Sequence, residues 1–261
     1  DWLAVDFREQ GWDVKRLFRQ LVTSATYRQA ALATPAKLEK DPQNRLLSRG
    51  PRFRLDAEMI RDQALAAAGL LSGRMGGPSV KPYQPDGVWE AVAMPESNTR
   101  RYVRDTGESL YRRSLYTFWK RAAPPASMDL FNAPSRETCA VRRERTNTPL
   151  HALATLNDPQ FIEAARRLAE AGWHAAGGQP GPAVDWMARR VLARPLDDHE
   201  AGLVRRTLDD LLAQYAGRAA DAEAFLRVGE SAPDGSIPAP RLAALALVAN
   251  QLLNLDEALN K

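Results

Sequence analysis

Apolar residues along this chain recur mostly at three- and four-residue spacing, the repeat that lays side chains on one face of a helix. Behind Asp13, a side chain suited to accept from the free amides of a first turn, Val14, Leu17, Phe18, Leu21 and Val22 share one face, with Trp12 placed to staple onto Leu17. A second stripe, Ile60, Ala64, Ala67 and Leu71, predicts a helix over about 56–71 with Gly73 as its left-handed stop. Thr148-Pro149 and Asp158-Pro159 each pair a capping side chain with a first-turn proline, so both should open helices. Further stripes follow at Val184, Met187 and Val191, and, behind Asp197, at Leu203, Val204, Leu208, Leu211, Leu212 and Tyr215. Phe225 and Leu226 predict a short helix closed by Gly229. Leu242 to Leu253 is apolar nearly all round, which predicts a central, buried helix.

Between these elements the pattern weakens. Gly73, Gly76, Gly77, Pro78, Pro82 and Pro85 crowd a stretch that neither helix nor central strand tolerates, so it reads as a loop. Val88 to Met94 reads as a short helix, and Leu110 to Arg121 as a helix with strand as the open alternative. Ala122 to Asn147 shows no period, which predicts a long ordered loop. The fold class is therefore mainly α: an irregular multi-helix domain with long ordered loops and few or no strands. Residues 1–261 read as a single domain, with a helical part (1–72), a loop-rich basic part (73–147) and a second helical part (148–261).

Composition changes this picture little, because 44% hydrophobic and 26% charged residues are ordinary for a globular chain. Charge changes it more. The net charge is +4, yet residues 98–145 hold eleven Arg and Lys against five Asp and Glu, which leaves the remainder slightly acidic. The surplus is interleaved with acids, so it lacks the unbroken run of a nucleic-acid arm, and no nucleic-acid partner is expected. No stretch approaches the roughly 20 apolar residues of a membrane span. The single cysteine allows no disulfide within the chain. Because the chain opens on Asp1 and falls straight into an apolar helical pattern, it reads as a piece of a longer protein.

Candidate chemistry concentrates ahead of Pro149, where Arg136, Arg142, Arg143, Arg145 and Asn147 cluster with Glu137 and Glu144. Guanidiniums grip carboxylates, sulfates and phosphates through paired hydrogen bonds, and the helix start behind them adds free amides. The bland alternative is that these arginines pair with acids and pin the loop. Cys139 reads either as a thiolate favoured by its basic surroundings or as a buried, inert thiol. Trp119 with Lys120, and Tyr83, offer aromatic plates for a sugar ring or for ordinary packing. Gly76 to Lys81 suggests an anion loop or a surface connector. The histidines at 151, 174 and 199 form no zinc-helix pair, so no metal site is assigned, and His151 reads as a helix-surface residue or a catalytic base.

Through WLAVDF, GWDVKRLFRQLVTSATYRQ, DPQNRLLSRGPRFRLDAEMIRDQAL, GGPSVKPYQPDGVWEAVA, YRRSLYTFWKR, APSRETCAVRRERTNTPLHALATLNDPQF and LLNLDEALNK, the chain resembles the domain of unknown function 1553 of planctomycetes and related bacteria. The resemblance implies that further residues precede Asp1, and that the parent is an exported protein of the periplasm or cell surface. It also implies a cytochrome-c-like haem domain upstream, with no cofactor in this chain itself. It supplies no catalytic residues. From it and the basic loop follows the leading expectation, a domain that binds or processes anionic carbohydrate, with Arg142, Arg143 and Arg145 holding the anion and Trp119 or Tyr83 stacking on a ring. Its partners would be the upstream domains of the same polypeptide and possible polysaccharide. The rival expectation is a structural or interaction module without catalysis, and a third is a thiol enzyme using Cys139 with His151.

Overall fold

The computed structural model describes residues 1–260. It is mainly helical; among the described residues extended pairing is confined to isolated bridges. Two compact units emerge, residues 1–53 and residues 54–260.

In the first unit, α1 (Trp2–Glu9) and α2 (Val14–Thr23) meet at a turn through Gly11 and Trp12, both left-handed at φ +69° and +61°. Asp13 caps α2 by accepting the Arg16 N–H at 3.0 Å. The Arg16 guanidinium reaches back to both oxygens of Asp6, at 2.7 and 3.3 Å, and so joins the two helices. The Trp12 ring meets Phe7 edge-on, with centroids 5.3 Å apart. α3 (Pro35–Lys40) starts behind the Thr34 cap, with proline in its first turn. Asp41, the one buried residue among 1–53, then accepts the N–H groups of Arg45 and Leu46 at 2.8 and 2.7 Å. Polar ties dominate here. The apolar face of α2 stays open, with Phe18 60% exposed.

The second unit opens with α4 (Ala57–Ala67), which turns Ile60, Ala64 and Ala67 inward as its stripe predicts. It ends sooner than expected, because the left-handed residue that stops it is Gly69 at φ +71°; Gly73 does not adopt that conformation. Two other expectations need correcting. Val88 to Met94 forms turns, and Leu110 to Arg121 forms neither helix nor strand but two short 3₁₀ turns, Gly107–Tyr111 and Ser114–Tyr116. The reason lies on α4. Buried Arg61 donates to the carbonyls of Leu110 and Arg112 and to Ser114 Oγ, while Asp62 accepts the Ser114 N–H and O–H. Side chains thus satisfy backbone groups that a regular element would have paired internally.

α5 (Ala126–Leu130) lies in the stretch without periodicity, since five residues are too few to show a repeat. α6 (Pro149–Asn157) and α7 (Pro159–Ala175) begin at the two Pro starts, and Asp158 caps the second by accepting from the Gln160 N–H at 3.0 Å. α8 (Pro180–Leu192), α9 (Asp198–Ala216), α10 (Ala219–Leu226), α11 (Ala239–Leu253) and α12 (Asp256–Leu259) complete the unit. Asp197 and Glu200 form a reciprocal capping box at α9. The core gathers α7, α8, α10 and α11, where Leu168, Met187, Ala222, Leu242 and Leu245 are fully covered. α11 is the buried central helix its composition predicts. Gly172 lets α7 and α8 approach, because a Cβ there would stand 3.1 Å from the Ala183 carbonyl and 2.9 Å from Met187.

Candidate functional site

The loop between α5 and α6 is tied at both ends and in between. Thr146 donates to Asn132 Oδ1 at 2.6 Å, and Arg143 clasps both oxygens of Glu58 on α4 at 2.6 and 3.2 Å, with Asp56 3.6 Å away. Burial works to raise the Glu58 pKa, but the Arg143 bonds outweigh it and hold the carboxyl below its ordinary value. The same bonds push the Arg143 pKa up. Arg143 is therefore an anchored cation.

Beside this anchor, Arg142, Arg143, Glu144, Arg145 and Thr146 wall a solvent-open hollow of about 440 Å³. Arg142 and Arg145 are exposed, and among the described residues no ion pair engages Arg142. The hollow is mixed in sign because Glu144 shares it. Guanidinium N–H groups dominate its lining, with Arg143 fixed from behind, while the Thr146 hydroxyl is already given to Asn132.

The other predicted residues go elsewhere. Arg136, left-handed at φ +64°, stacks on the Trp119 face at 4.4 Å, and the indole N–H donates to the Ser135 carbonyl at 2.9 Å. Lys120 donates to the Thr99 carbonyl at 2.8 Å and lies 4.7 Å over Trp89. Tyr83 donates its hydroxyl to Glu163 at 2.9 Å under the Arg104 guanidinium. Asn147 is exposed and does not line the hollow. The sequence cluster thus divides into an arginine hollow, an Arg136–Trp119 stack, and two side chains committed to packing.

Cys139 is exposed and so is not a buried thiol. His151 is buried at 2% exposure, so it is not a helix-surface residue; its Nε2 bonds the Leu130 carbonyl at 2.8 Å, and its ring packs on Phe131. Burial, with Arg54 adding to it, lowers its pKa against the pull of that carbonyl. Its other nitrogen, Nδ1, is buried without a described partner, whereas Cys139 is exposed. The glycine loop is a connector: Arg112 donates to the carbonyls of Gly76 and Pro78, and Lys81 lies over the Trp89 and Phe118 rings.

A family model described as PSD1, protein of unknown function (DUF1553), matches residues 1–208. The chain belongs to the DUF1553 family. Comparison with curated proteins and with solved structures yields no match. In this DUF1553 chain the hollow and its anchor on α4 lie within the matched residues, whereas α11 lies beyond them. Among the described residues no helix is long and apolar enough to cross a membrane, and no group of three or more His, Cys, Asp or Glu is placed to hold a metal ion.

Sequence reasoning missed the most heavily bonded carboxylate of the second unit. Glu163 on α7 takes the hydroxyls of Tyr83, Tyr111 and Ser231 and the N–H groups of Glu230 and Ser231. Burial acts to raise its pKa, but these donors prevail and hold it below the ordinary carboxylate range. Arg166 follows, bound to Glu170 at 2.8 Å and to the Ser231 and Ala232 carbonyls. Opposite charges at positions 163, 166 and 170, three and four residues apart on one face of α7, were the available signal. With both Glu163 oxygens engaged, this network fixes the loop after α10 to α7.

Proposed function

We propose that this DUF1553 domain is a binding module of a longer, exported, haem-linked protein, and that its basic hollow receives the sulfate, carboxylate or phosphate groups of an acidic polysaccharide. The observation that carries the reading is the anchored hollow itself: Arg143 is fixed on Glu58, while Arg142 stands exposed beside it without a described acid. A fixed guanidinium loses little freedom when an anion arrives, so its hydrogen bonds count more fully toward affinity. Arg142, Arg143 and Arg145 are the binding groups in this reading. Trp119 and Tyr83 are already engaged by Arg136 and Glu163, so ring stacking is not assigned to them. Export and the upstream haem rest on the family resemblance, and redox chemistry would belong to that haem.

Titration with dextran sulfate and with neutral dextran tests the proposal. The sulfated polymer should bind with affinity that falls as salt is raised, and Arg142→Ala should weaken it about tenfold, the loss of one charge-assisted hydrogen bond. Equal failure of both polymers with folded protein removes it. The Arg143–Glu58 pair also favours a second reading, an interaction module whose loop is pinned for docking to a neighbouring domain. In that case Arg142→Ala leaves glycan behaviour unchanged.

A further inference from the structure

Away from the basic hollow, the second unit holds a cleft of about 550 Å³, a size that suits small molecules. Pro85, Leu130, Leu150, Leu153 and Pro159 supply its apolar walls, and the Leu150 and Leu153 side chains, three residues apart on α6, are each 57% exposed toward solvent. No Lys, Arg or His lines it; its one ionisable group besides Tyr83 is Asp158, at the junction of α6 and α7. Tyr83 is spent on Glu163.

Asp158 is an unusual wall for an apolar cleft. Its Oδ1 accepts the Gln160 N–H at 3.0 Å, a single backbone donor for a group with about four acceptor sites. The hydrogen bonds of nearby Arg61 run to Gln160 Oε1, to the Leu110 and Arg112 carbonyls, to Ser114 and to Asp62, so it acts on Asp158 through charge alone. Burial raises its pKa, and the Gln160 and Arg61 contributions do not cancel that rise. Gln84, another lining residue, has an Nε2 without a described partner. The cleft thus combines apolar walls, a carboxylate whose pKa burial raises despite its Gln160 bonds, and no lining cation. Anionic ligands meet charge repulsion there and wholly apolar ones leave the carboxylate uncompensated.

We propose that this cleft binds a small apolar amine, with the hydrocarbon body against Leu130, Leu150 and Leu153 and the ammonium group on Asp158. The opposite charge restores to the carboxylate the partner that burial has removed, and the walls cover the alkyl or aryl body. The site shares no residue with the basic hollow, so it stands or falls separately from the glycan reading.

Three probes of equal length test the claim by calorimetric or NMR titration near neutral pH: hexylamine, hexanol and hexanoate. Hexylamine should bind saturably and at least tenfold more tightly than hexanoate, with hexanol between them. Asp158→Asn keeps the helix cap, since Asn caps as well as Asp, and should bring hexylamine down to the level of hexanol. Leu153→Lys, at an exposed position, should place a cation opposite Asp158 and abolish the preference for amine over carboxylate. Chemical-shift changes should map to α5 and α6. The proposal is overturned if none of the probes saturates, if amine and carboxylate bind alike, or if Asp158→Asn leaves the preference intact in a protein that still melts cooperatively.

Discussion

α2 and α11 make opposite use of apolar sequence. In α2 the apolar residues occupy a clean face, yet none of its residues is buried. α11 has little facial contrast, and ten of its fifteen residues are buried. A one-faced helix is stable in a fold only through whatever covers that face, whereas a helix apolar all round has to lie inside. The two units follow their helices. Residues 54–260 are organised around covered aliphatic side chains; residues 1–53 bury only Asp41 and are organised by the Asp6–Arg16 pair, the Asp13 and Thr34 caps and the Asp41 turn. Hydrophobic burial sets the stability of one, and local polar bonding the shape of the other.

The largest expected effect is in the core. Leu245→Ala removes a fully covered side chain from α11 and should cost about 2–5 kcal/mol, measured by denaturant unfolding followed on the helical signal. A loss below about 1 kcal/mol would mean that α11 is not the centre of the unit. Gly172→Ala comes next: the added methyl faces the Ala183 carbonyl at 3.1 Å and Met187 at 2.9 Å, so α7 and α8 must part slightly, at about 1–3 kcal/mol. Unchanged stability would show that the two helices are not in close contact there.

The same contrast explains which parts were legible from sequence. α11 was readable because a covered helix has to write its environment into every position, and the Pro149, Pro159 and Asp197 starts because capping chemistry is local. Leu110 to Arg121 was not, because its shape is imposed by Arg61 and Asp62, some fifty residues away in sequence. The site divided on the same line. Arginine density points to the loop that walls the hollow, but nothing adjacent in sequence announces Glu58 as the acid that holds Arg143, or Glu163 as the acceptor for Tyr83. Asp158 was visible as a cap; its place in an apolar cleft depends on α5, a helix too short to leave a repeat.

A pH test sharpens the comparison further. Burial lowers the native pKa of His151 below its ordinary value of 6.5, so the unfolded chain takes up a proton more readily than the native one. Its contribution to stability is therefore complete above that ordinary value and is lost as pH falls toward the depressed native pKa. Melting temperature should drop between about pH 7 and about pH 5 more steeply in the parent protein than in His151→Gln, which has no imidazole to charge. Identical pH profiles would show that the ring does not sense this environment. Residues 1–53 contain no histidine, so probes confined to that unit should not register the transition.

The smallest effect belongs to α2, and it tests the comparison from its weak side. Phe18 is 60% exposed on a face that packs nothing within its unit, so Phe18→Ala removes little covered surface and should change unfolding free energy by less than about 0.5 kcal/mol. Asp6→Asn should matter more to this unit than the loss of that large aromatic ring, because it weakens the paired bonds from Arg16 that join α1 to α2. Amide exchange along residues 14–23 reads both variants locally. If Phe18→Ala accelerates exchange across α2 while Asp6→Asn does not, apolar contact organises this unit as it does the other, and the distinction between them is lost.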